Sequence, residues 1–162
     1  NGYTKENQNV YFRARKQAAM YNEKLSSREG ASEMLGISPS ALADYELGIT
    51  KFVPVDKVVL MADLYNCPEL RTGYCKHECP IGKSIPLATS VHSIEGIALR
   101  IIKGFNSDEI KVIEKDLIDI ASDGVISEDE KPILKKIIKR LDELMVVISE
   151  LKLAGEKALK ER

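Results

Sequence analysis

The stretch that decides the fold is Leu35-Gly-Ile-Ser-Pro-Ser-Ala-Leu-Ala-Asp-Tyr-Glu-Leu-Gly48. A glycine stands near each end of it, and a glycine that adopts a positive φ ends a helix and turns the chain sharply. Ser38 followed by Pro39 predicts a helix start, because a serine hydroxyl accepts an orphan backbone N–H and proline suits the first helical position. We therefore expect a short helix from Ser38 to Leu47, entered through a tight turn at Gly36.

Further helices are predicted on both sides of this stretch. Upstream, residues 9–22 have helical apolar spacing, and Ser26 or Ser27 is expected to cap a helix that ends at Leu35. Downstream, Pro54 opens a helix whose apolar residues are expected to cover the pair: Val55, Val58, Val59, Ala62 and Tyr65. The inward-facing residues of the pair are expected to be Ala31, Leu35, Ile37, Leu42 and Tyr45. Two short helices joined by a glycine-containing turn, with apolar facing sides, are typical of a helix-turn-helix.

Composition limits the classes of function. The 162 residues include 24 Lys and Arg against 25 Asp and Glu, a net charge of −1. This balance excludes a polybasic nucleic-acid binder and leaves only a local patch for any DNA contact. Three cysteines do not make a secreted disulfide framework, and no apolar run approaches the roughly 20 residues of a bilayer span. Since no segment alternates like a strand, we expect an all-α, soluble, cytoplasmic protein without a membrane partner.

Catalytic motifs are missing from the sequence. It contains no glycine-rich phosphate loop, no His-Glu-x-x-His and no nucleophile elbow. Its two histidines, His77 and His92, stand apart from each other and from any motif. We expect neither an enzymatic activity nor a cofactor.

The central stretch resembles the Cro/C1-type (XRE) helix-turn-helix transcriptional regulators, most of all a subgroup found in Firmicutes and their mobile elements. Val53-Pro-Val-Asp and the tail Pro68-Glu-Leu-Arg…Tyr74-Cys-Lys-His-Glu-Cys-Pro-Ile-Gly-Lys83 share the resemblance, which covers about residues 9–83. It implies a five-helix, lambda-repressor-like domain that binds double-stranded DNA as a homodimer. The helix from Ser38, here called the recognition helix, would lie in the major groove.

The resemblance also implies which residues contact DNA. Those expected to face the bases are Ser38, Pro39, Ser40, Ala43 and Asp44. Arg28 and Lys51 are expected to contact phosphates. Arg15 of the first helix is the third basic residue expected to contact DNA. Glu46 is expected to pair with an arginine such as Arg15 rather than to touch DNA.

The side chains on the recognition helix also leave a second interpretation open. Pro39 and Ser40 stand where such regulators often carry long amide or basic side chains that make bidentate base contacts. Asp44 can accept a hydrogen bond from cytosine, but it repels phosphate. The alternative is a helical adaptor that retains the helix-turn-helix fold and binds protein rather than DNA.

A cluster of cysteines has the chemistry of zinc ligands. Cys75, His77 and Cys79 lie close together, with Cys67 upstream. Their spacing departs from the two-residue spacing of a zinc knuckle, and on a helix His77 would point away from the two cysteines. We therefore favour reduced cysteines that pack the end of the domain, with zinc as the alternative.

An acidic segment has the spacing of a calcium loop. Asp119, Asp123 and Glu130 match the first, fifth and twelfth positions of an EF-hand, and Gly124 matches the sixth. Ala121 stands at the third position, so one ligand oxygen is missing. A capped helical hairpin explains the same residues without a metal, and we favour that interpretation.

The domain boundary is predicted near Cys79-Pro-Ile-Gly-Lys-Ser-Ile-Pro86, which carries two prolines and a glycine. We expect a DNA-binding domain at 9–83, a linker at 84–90 and a helical dimerisation or interaction domain at 91–162. This second domain is expected to contain three amphipathic helices, the last opened by a capping box at Ser127…Glu130.

The last helix is predicted to run to about Leu159 with the spacing of a coiled coil. Its stripe comprises Leu134, Ile137, Leu141, Leu144, Ile148 and Leu151, widened by Ile138 and Met145. Three amphipathic helices must bury their apolar faces. The sequence leaves open whether they do so in a helical hairpin, in a three-helix bundle, in a homodimer or in a combination of these.

Overall fold

The structure is a computed structural model that describes residues 8–160. In this range the chain forms eight α-helices, two 3-10 turns and no strand, which confirms the prediction of an all-α protein. The chain divides into two compact units. The first contains the chain up to Ile85 together with the segment that begins at Glu156, and the second is Pro86–Gly155. The predicted second domain, 91–162, extends past the end of this unit, because the segment from Glu156 belongs to the first unit.

The first unit contains five α-helices. They are α1 Val10–Ala18, α2 Arg28–Leu35, α3 Pro39–Glu46, α4 Val55–Leu64 and α5 Glu69–His77. The predicted first helix, 9–22, was wrong at its end, because α1 stops at Ala18. Asn22 has an extended backbone, and its side chain accepts a hydrogen bond from Lys24 N at 3.2 Å, which starts a 3-10 turn at Glu23–Ser26.

The caps of α2 and α3 are as predicted. The hydroxyls of Ser27 and Ser38 each accept a hydrogen bond, at 3.1 Å, from the backbone N–H three residues further on. Gly36 has a φ of +63° between the helices, and Gly48 has a φ of +69° after α3. Local sequence signals therefore determine where both helices begin and where the chain turns.

The core of the first unit lies between these helices. Its buried residues are Ala14, Ala18, Leu25, Ala31, Leu35, Leu42, Tyr45, Val53, Val58, Met61, Ala62, Tyr65 and Leu70. The residues predicted to face inward from the helix pair are buried, except that Ile37 is half-buried. The prediction of which sides of α2 and α3 face each other is thus confirmed.

The prediction for α4 was correct for three of its apolar residues and wrong for two. Val58, Ala62 and Tyr65 are buried, whereas Val55 and Val59 are exposed. One residue advances about 100° around a helix, so Val59 is turned away from the face that Val58 buries. Val55 stands at the first position of the helix, beyond the buried stripe.

The second unit contains the rest of the helices: α6 Ile94–Gly104, α7 Ser107–Ala121 and α8 Lys131–Leu159, whose last residues from Glu156 belong to the first unit. Asn106 rather than Ser107 caps α7, since its side chain accepts a hydrogen bond from Asp108 N at 2.9 Å. Of the predicted capping box, the Glu130 carboxylate accepts from Ser127 N at 2.7 Å. α8 itself begins at Lys131, one residue after Glu130.

The apolar residues of α8 separate into two faces. Ile137 is buried in the second unit, and Leu144 packs so close to α6 that a Cβ at Gly104 would collide with it. A second set is exposed: Ile138, Leu141, Met145 and Ile148, here called the α8 stripe. Part of the predicted coiled-coil face therefore packs within the unit, and part remains on the surface.

None of the helices within residues 8–160 combines the length and the apolarity needed to cross a bilayer.

Candidate nucleic-acid interface

The predicted base-facing residues occupy one side of α3. Ser38, Pro39 and Ser40 are exposed at its amino-terminal end, and Ala43 and Asp44 are half-buried one turn later. The hydroxyl oxygens of Ser38 and Ser40 lie 3.0 Å apart, so one donates to the other. This end of the helix presents short polar side chains to solvent.

A buried ion pair fixes the other end of α3 to α1. Arg15 Nε donates to Glu46 Oε1 at 2.5 Å, and Arg15 Nη2 donates to Glu46 Oε2 at 2.8 Å. The two side chains are 2% and 0% exposed. Arg15 Nη1 also donates to the carbonyls of Leu25 and Ser26, both at 3.1 Å. The predicted pairing of Arg15 with Glu46 is confirmed.

The prediction that Arg15 contacts DNA was therefore wrong. Its guanidinium is buried inside the unit and donates its hydrogen bonds to other protein groups. Arg28 shares the same carboxylate: its Nε lies 2.8 Å from Glu46 Oε2, and its side chain is 29% exposed. The solvent-accessible part of this cluster lies at Arg28, at the start of α2.

Lys51 lies in the loop after α3 and is exposed. Its Nζ is 5.3 Å from the centroid of the Phe52 ring, within the range of a cation–π contact. Phe52 is itself exposed, as are Ile49 and Val55, and we call these three residues the loop patch. The sequence analysis did not single out Ile49 and Phe52, and it assigned Val55 to the core, although three large apolar residues in and beside a loop are a usable signal.

Asn9 is a positioning residue that the sequence analysis also missed. Its Oδ1 accepts from Tyr11 N at 2.9 Å and from Phe12 N at 3.2 Å, which caps α1. Its Nδ2 donates to the Tyr45 carbonyl at 2.9 Å and so connects the start of α1 to α3. An asparagine directly before an apolar-periodic segment is the signal that indicates such a cap.

The zinc candidates Cys75, His77 and Cys79, which the sequence analysis disfavoured, do not form a site within residues 8–160. In the described range, no three His, Cys, Asp or Glu side chains are grouped so that they could hold a metal ion. The three cysteines have free, half-buried thiols, and His77 is exposed. Burial and the neighbouring Glu69 carboxylate raise the pKa of Cys67 to about 12. Cys67 is therefore a packed thiol rather than a reactive thiolate.

Two of the three calcium candidates make local hydrogen bonds with their side chains. The Asp123 carboxylate accepts from Val125 N at 2.9 Å, and Glu130 accepts from Ser127 N. Asp119 is exposed near the end of α7. These contacts favour the capped hairpin over the EF-hand.

No protein-family model, curated protein or solved structure matches the chain. The chain's own residues and contacts therefore carry the functional interpretation. These combine an exposed polar helix end, a buried network that holds the opposite end of that helix, and two cations at the sides. Such an arrangement can bring a short helix against a polyanion.

Proposed function

We propose that this protein is a sequence-specific, double-stranded-DNA-binding transcriptional regulator that inserts α3 into the major groove. The observation that carries the proposal is the exposure of the amino-terminal end of α3 in a unit that holds the other end through Glu46. In a helix-turn-helix, the first residues of the second helix reach the base edges. The order and lengths of α1–α5 also favour a lambda-repressor-like arrangement.

The side chains suggest how such a helix would read bases. The hydroxyls of Ser38 and Ser40 can donate to or accept from base edges, and Asp44 can accept from a cytosine amino group. Arg28 and Lys51 supply positive charge for phosphates on either side of the helix. With so few cations, binding depends on a good sequence match and weakens as salt rises.

A random-duplex selection followed by fluorescence-polarisation titrations tests this proposal. We expect one enriched sequence that binds more weakly at about 200 mM than at about 50 mM salt. Lys51→Ala should weaken binding to all sequences alike and reduce the salt slope by about one phosphate contact, whereas Asp44→Ala should change the preferred base at one position. Lys83 is an exposed lysine in the 3-10 turn Gly82–Ser84. Lys83→Ala is the matched control and should bind like the native protein. Failure of every duplex to bind at low salt would reject the proposal.

We propose further that the regulator is a homodimer and that the α8 stripe forms the contact between copies. Ile138, Leu141, Met145 and Ile148 are exposed and follow one another at spacings of three and four residues, as in the seam of a coiled coil. Dimers read two half-sites of an operator about one helical turn apart, so a two-fold contact suits the DNA-binding role.

Light scattering on the full chain tests this contact. Leu141→Glu places a charge in the middle of the stripe and should halve the mass. Val125→Glu introduces the same charge at an exposed valine in the loop before α8 and should leave the mass unchanged. A native chain of monomer mass, or a dimer that both variants retain, would contradict this part of the proposal.

The adaptor is the second candidate, and the loop patch is the observation that favours it. Phe52, Ile49 and Val55 expose apolar surface next to α3, and a protein partner can cover such surface whereas phosphates cannot. If the native chain unfolds cooperatively and yet enriches no duplex, the adaptor is favoured over the regulator.

A further inference from the structure

The second unit buries few apolar residues for its size. Its fully buried apolar residues are Ala88, Ile97, Ile120, Ile137 and Leu153, whereas the core of the first unit contains thirteen. A domain of fewer than about 80 residues is only marginally stable even with a well-filled core. The second unit, Pro86–Gly155, therefore needs a source of stability beyond its own buried residues.

The apolar residues of α6 lie largely on the surface. Ile94 is 55% exposed, Ile102 is 69% exposed, and Phe105, which follows the helix, is 49% exposed. Ala98, one turn after Ile94, is exposed as well. These four residues follow one another at spacings of four and three positions, so they form a continuous row along the helix, here called the α6 row.

The α6 row and the α8 stripe lie on the same side of their two helices. Gly104 faces Leu144, and Arg100 Nη2 donates to Glu150 Oε2 at 2.7 Å, so α6 runs antiparallel beside α8. At about 100° per residue, the α6 row is rotated by roughly 80–160° from Gly104, and the α8 stripe by roughly 40–120° from Leu144 in the same sense. For two antiparallel helices that face each other, equal senses of rotation point to one side. We call this side the common face.

Charged residues do not interrupt the common face within residues 94–105 and 134–151. In this sector α6 adds only Ile101 to its row, and α8 adds only Leu134 to its stripe. Obligate homodimer interfaces are similarly apolar, because they resemble a domain core cut in half. A second copy of the same face is a fitting occupant, since it brings no charge that would be buried without a partner.

The size of the common face also fits a second copy. A large apolar side chain offers on the order of 200 Å² when it is fully exposed, so the seven large residues of the row and the stripe, at 39–69% exposure, offer about 600–700 Å². Two copies would then bury about 1,200–1,400 Å², which lies within the range of roughly 1,200–2,000 Å² for stable interfaces.

We infer that the second unit is an obligate homodimer, in which the common face of each copy packs against that of the other. The inference rests on the homodimer proposed above and extends it in two respects. First, α6 shares the contact with α8. Second, the unit folds only together with its partner copy, because four helices from two copies bury the apolar surface that one copy leaves in water.

Dilution of the native chain tests the coupling of folding to association. Urea unfolding of each unit is followed through its own amide NMR signals at two chain concentrations. Since association favours the folded dimer, tenfold dilution should lower the urea midpoint of the second unit by about 0.5–1 M and leave that of the first unit unchanged. A midpoint of the second unit that does not move on dilution would overturn the inference. This measurement requires no variant.

Two variants test the share of α6 in the contact. Ile102→Glu places a charge in the α6 row, so light scattering on the full chain should give half of the native mass. Leu99 is 61% exposed on the same helix, but it is rotated by roughly 220° from Gly104 and lies outside the common face. Leu99→Glu is therefore the matched control and should keep the native mass. A dimer that Ile102→Glu retains, or one that Leu99→Glu also loses, would overturn the assignment of the face.

These outcomes separate the inference from the proposed homodimer on which it rests. If Leu141→Glu halves the mass and Ile102→Glu does not, the dimer stands and the role of α6 is rejected. A native chain of monomer mass rejects both. All the measurements are made without DNA, so they leave the proposed DNA binding by the first unit to its own test.

Discussion

Each unit of this protein buries one carboxylate between two cationic or ionisable side chains. In the first unit, Glu46 accepts from Arg15 and Arg28. In the second, Glu150 is 2% exposed; its Oε1 accepts from His92 N at 2.9 Å and lies 2.7 Å from His92 Nδ1, and its Oε2 accepts from Arg100 at 2.7 Å. The two clusters look alike when only the carboxylates are compared.

They differ in where the partners lie. Arg15 is as deeply buried as Glu46, whereas the side chains of His92 and Arg100 are 66% and 41% exposed. If Glu46 is removed, a buried guanidinium loses its counter-charge. If Glu150 is removed, both partners can turn to water. The loss of folding free energy on removal of a buried carboxylate therefore depends on whether its former partners stay buried or can reach water.

The largest effect is expected for Glu46→Ala. We expect it to reduce the free energy of unfolding of the first unit by about 3–5 kcal/mol, because Arg15 is left buried and uncompensated. Urea unfolding followed through amide NMR signals of each unit measures this loss. A loss below about 1 kcal/mol would mean that Arg15 finds another acceptor, and the contrast between the clusters would disappear.

A smaller effect is expected for Glu150→Ala. The His92 backbone N–H loses its acceptor, but both side-chain partners reach solvent, so the second unit should lose about 1–2 kcal/mol. The same NMR-detected unfolding applies. A loss as large as that of Glu46→Ala would show that His92 and Arg100 are held in place by more than their contact with Glu150.

Acid should selectively remove the contribution of Glu150. Burial by itself would raise the pKa of this carboxyl, but the hydrogen bonds from His92 and Arg100 outweigh it and hold the pKa below its ordinary value of 4.5. A folded pKa below the unfolded one stabilises the fold above pH 4.5, and this stabilisation is lost as the pH falls through the folded pKa. The difference in unfolding free energy between the native chain and Glu150→Gln should therefore shrink as the pH falls from about pH 5 through the folded pKa. A constant difference would contradict the role assigned to the charge.

The smallest effect is expected at an exposed pair. Arg140 Nη1 lies 3.3 Å from Glu143 Oε2 on the surface of α8, and both side chains reach solvent. Glu143→Ala should change the unfolding free energy by less than about 0.5 kcal/mol. This value sets the baseline against which the two buried clusters are compared. A loss comparable to that of Glu150→Ala would mean that burial does not govern these contributions.

The sequence predicts well those features that depend on neighbouring residues. Ser27 and Ser38 cap their helices through the third N–H along the chain, and Gly36 turns the chain, so a window of a few residues carries the information. The same locality explains why α2, α3 and α4 each begin directly after the Ser27, Ser38 and Pro54 that predicted them. The end of α1 was predicted wrongly, because Asn22 redirects the backbone.

Features that join distant residues could not be predicted from local pattern. Asn66 donates to the carbonyl of Lys157, 91 positions away, and no local spacing indicates that the end of α8 belongs to the first unit. The burial of Arg15 is a second example, because an arginine on a helix is usually on the surface. Its environment depends on Glu46, Leu25 and Ser26, which other segments supply.

Gly36 and Gly48 bracket α3, and an added Cβ at either position would meet no atom within 4 Å. Only the left-handed backbone disfavours other residues there, and asparagine tolerates that conformation. The eight residues of α3, which lie between these glycines, thus form a segment that can be exchanged without changing how the chain enters and leaves it. Provided that Leu42, Tyr45 and Glu46 are kept, its outward positions can diversify through evolution or by library design without refolding the rest of the chain.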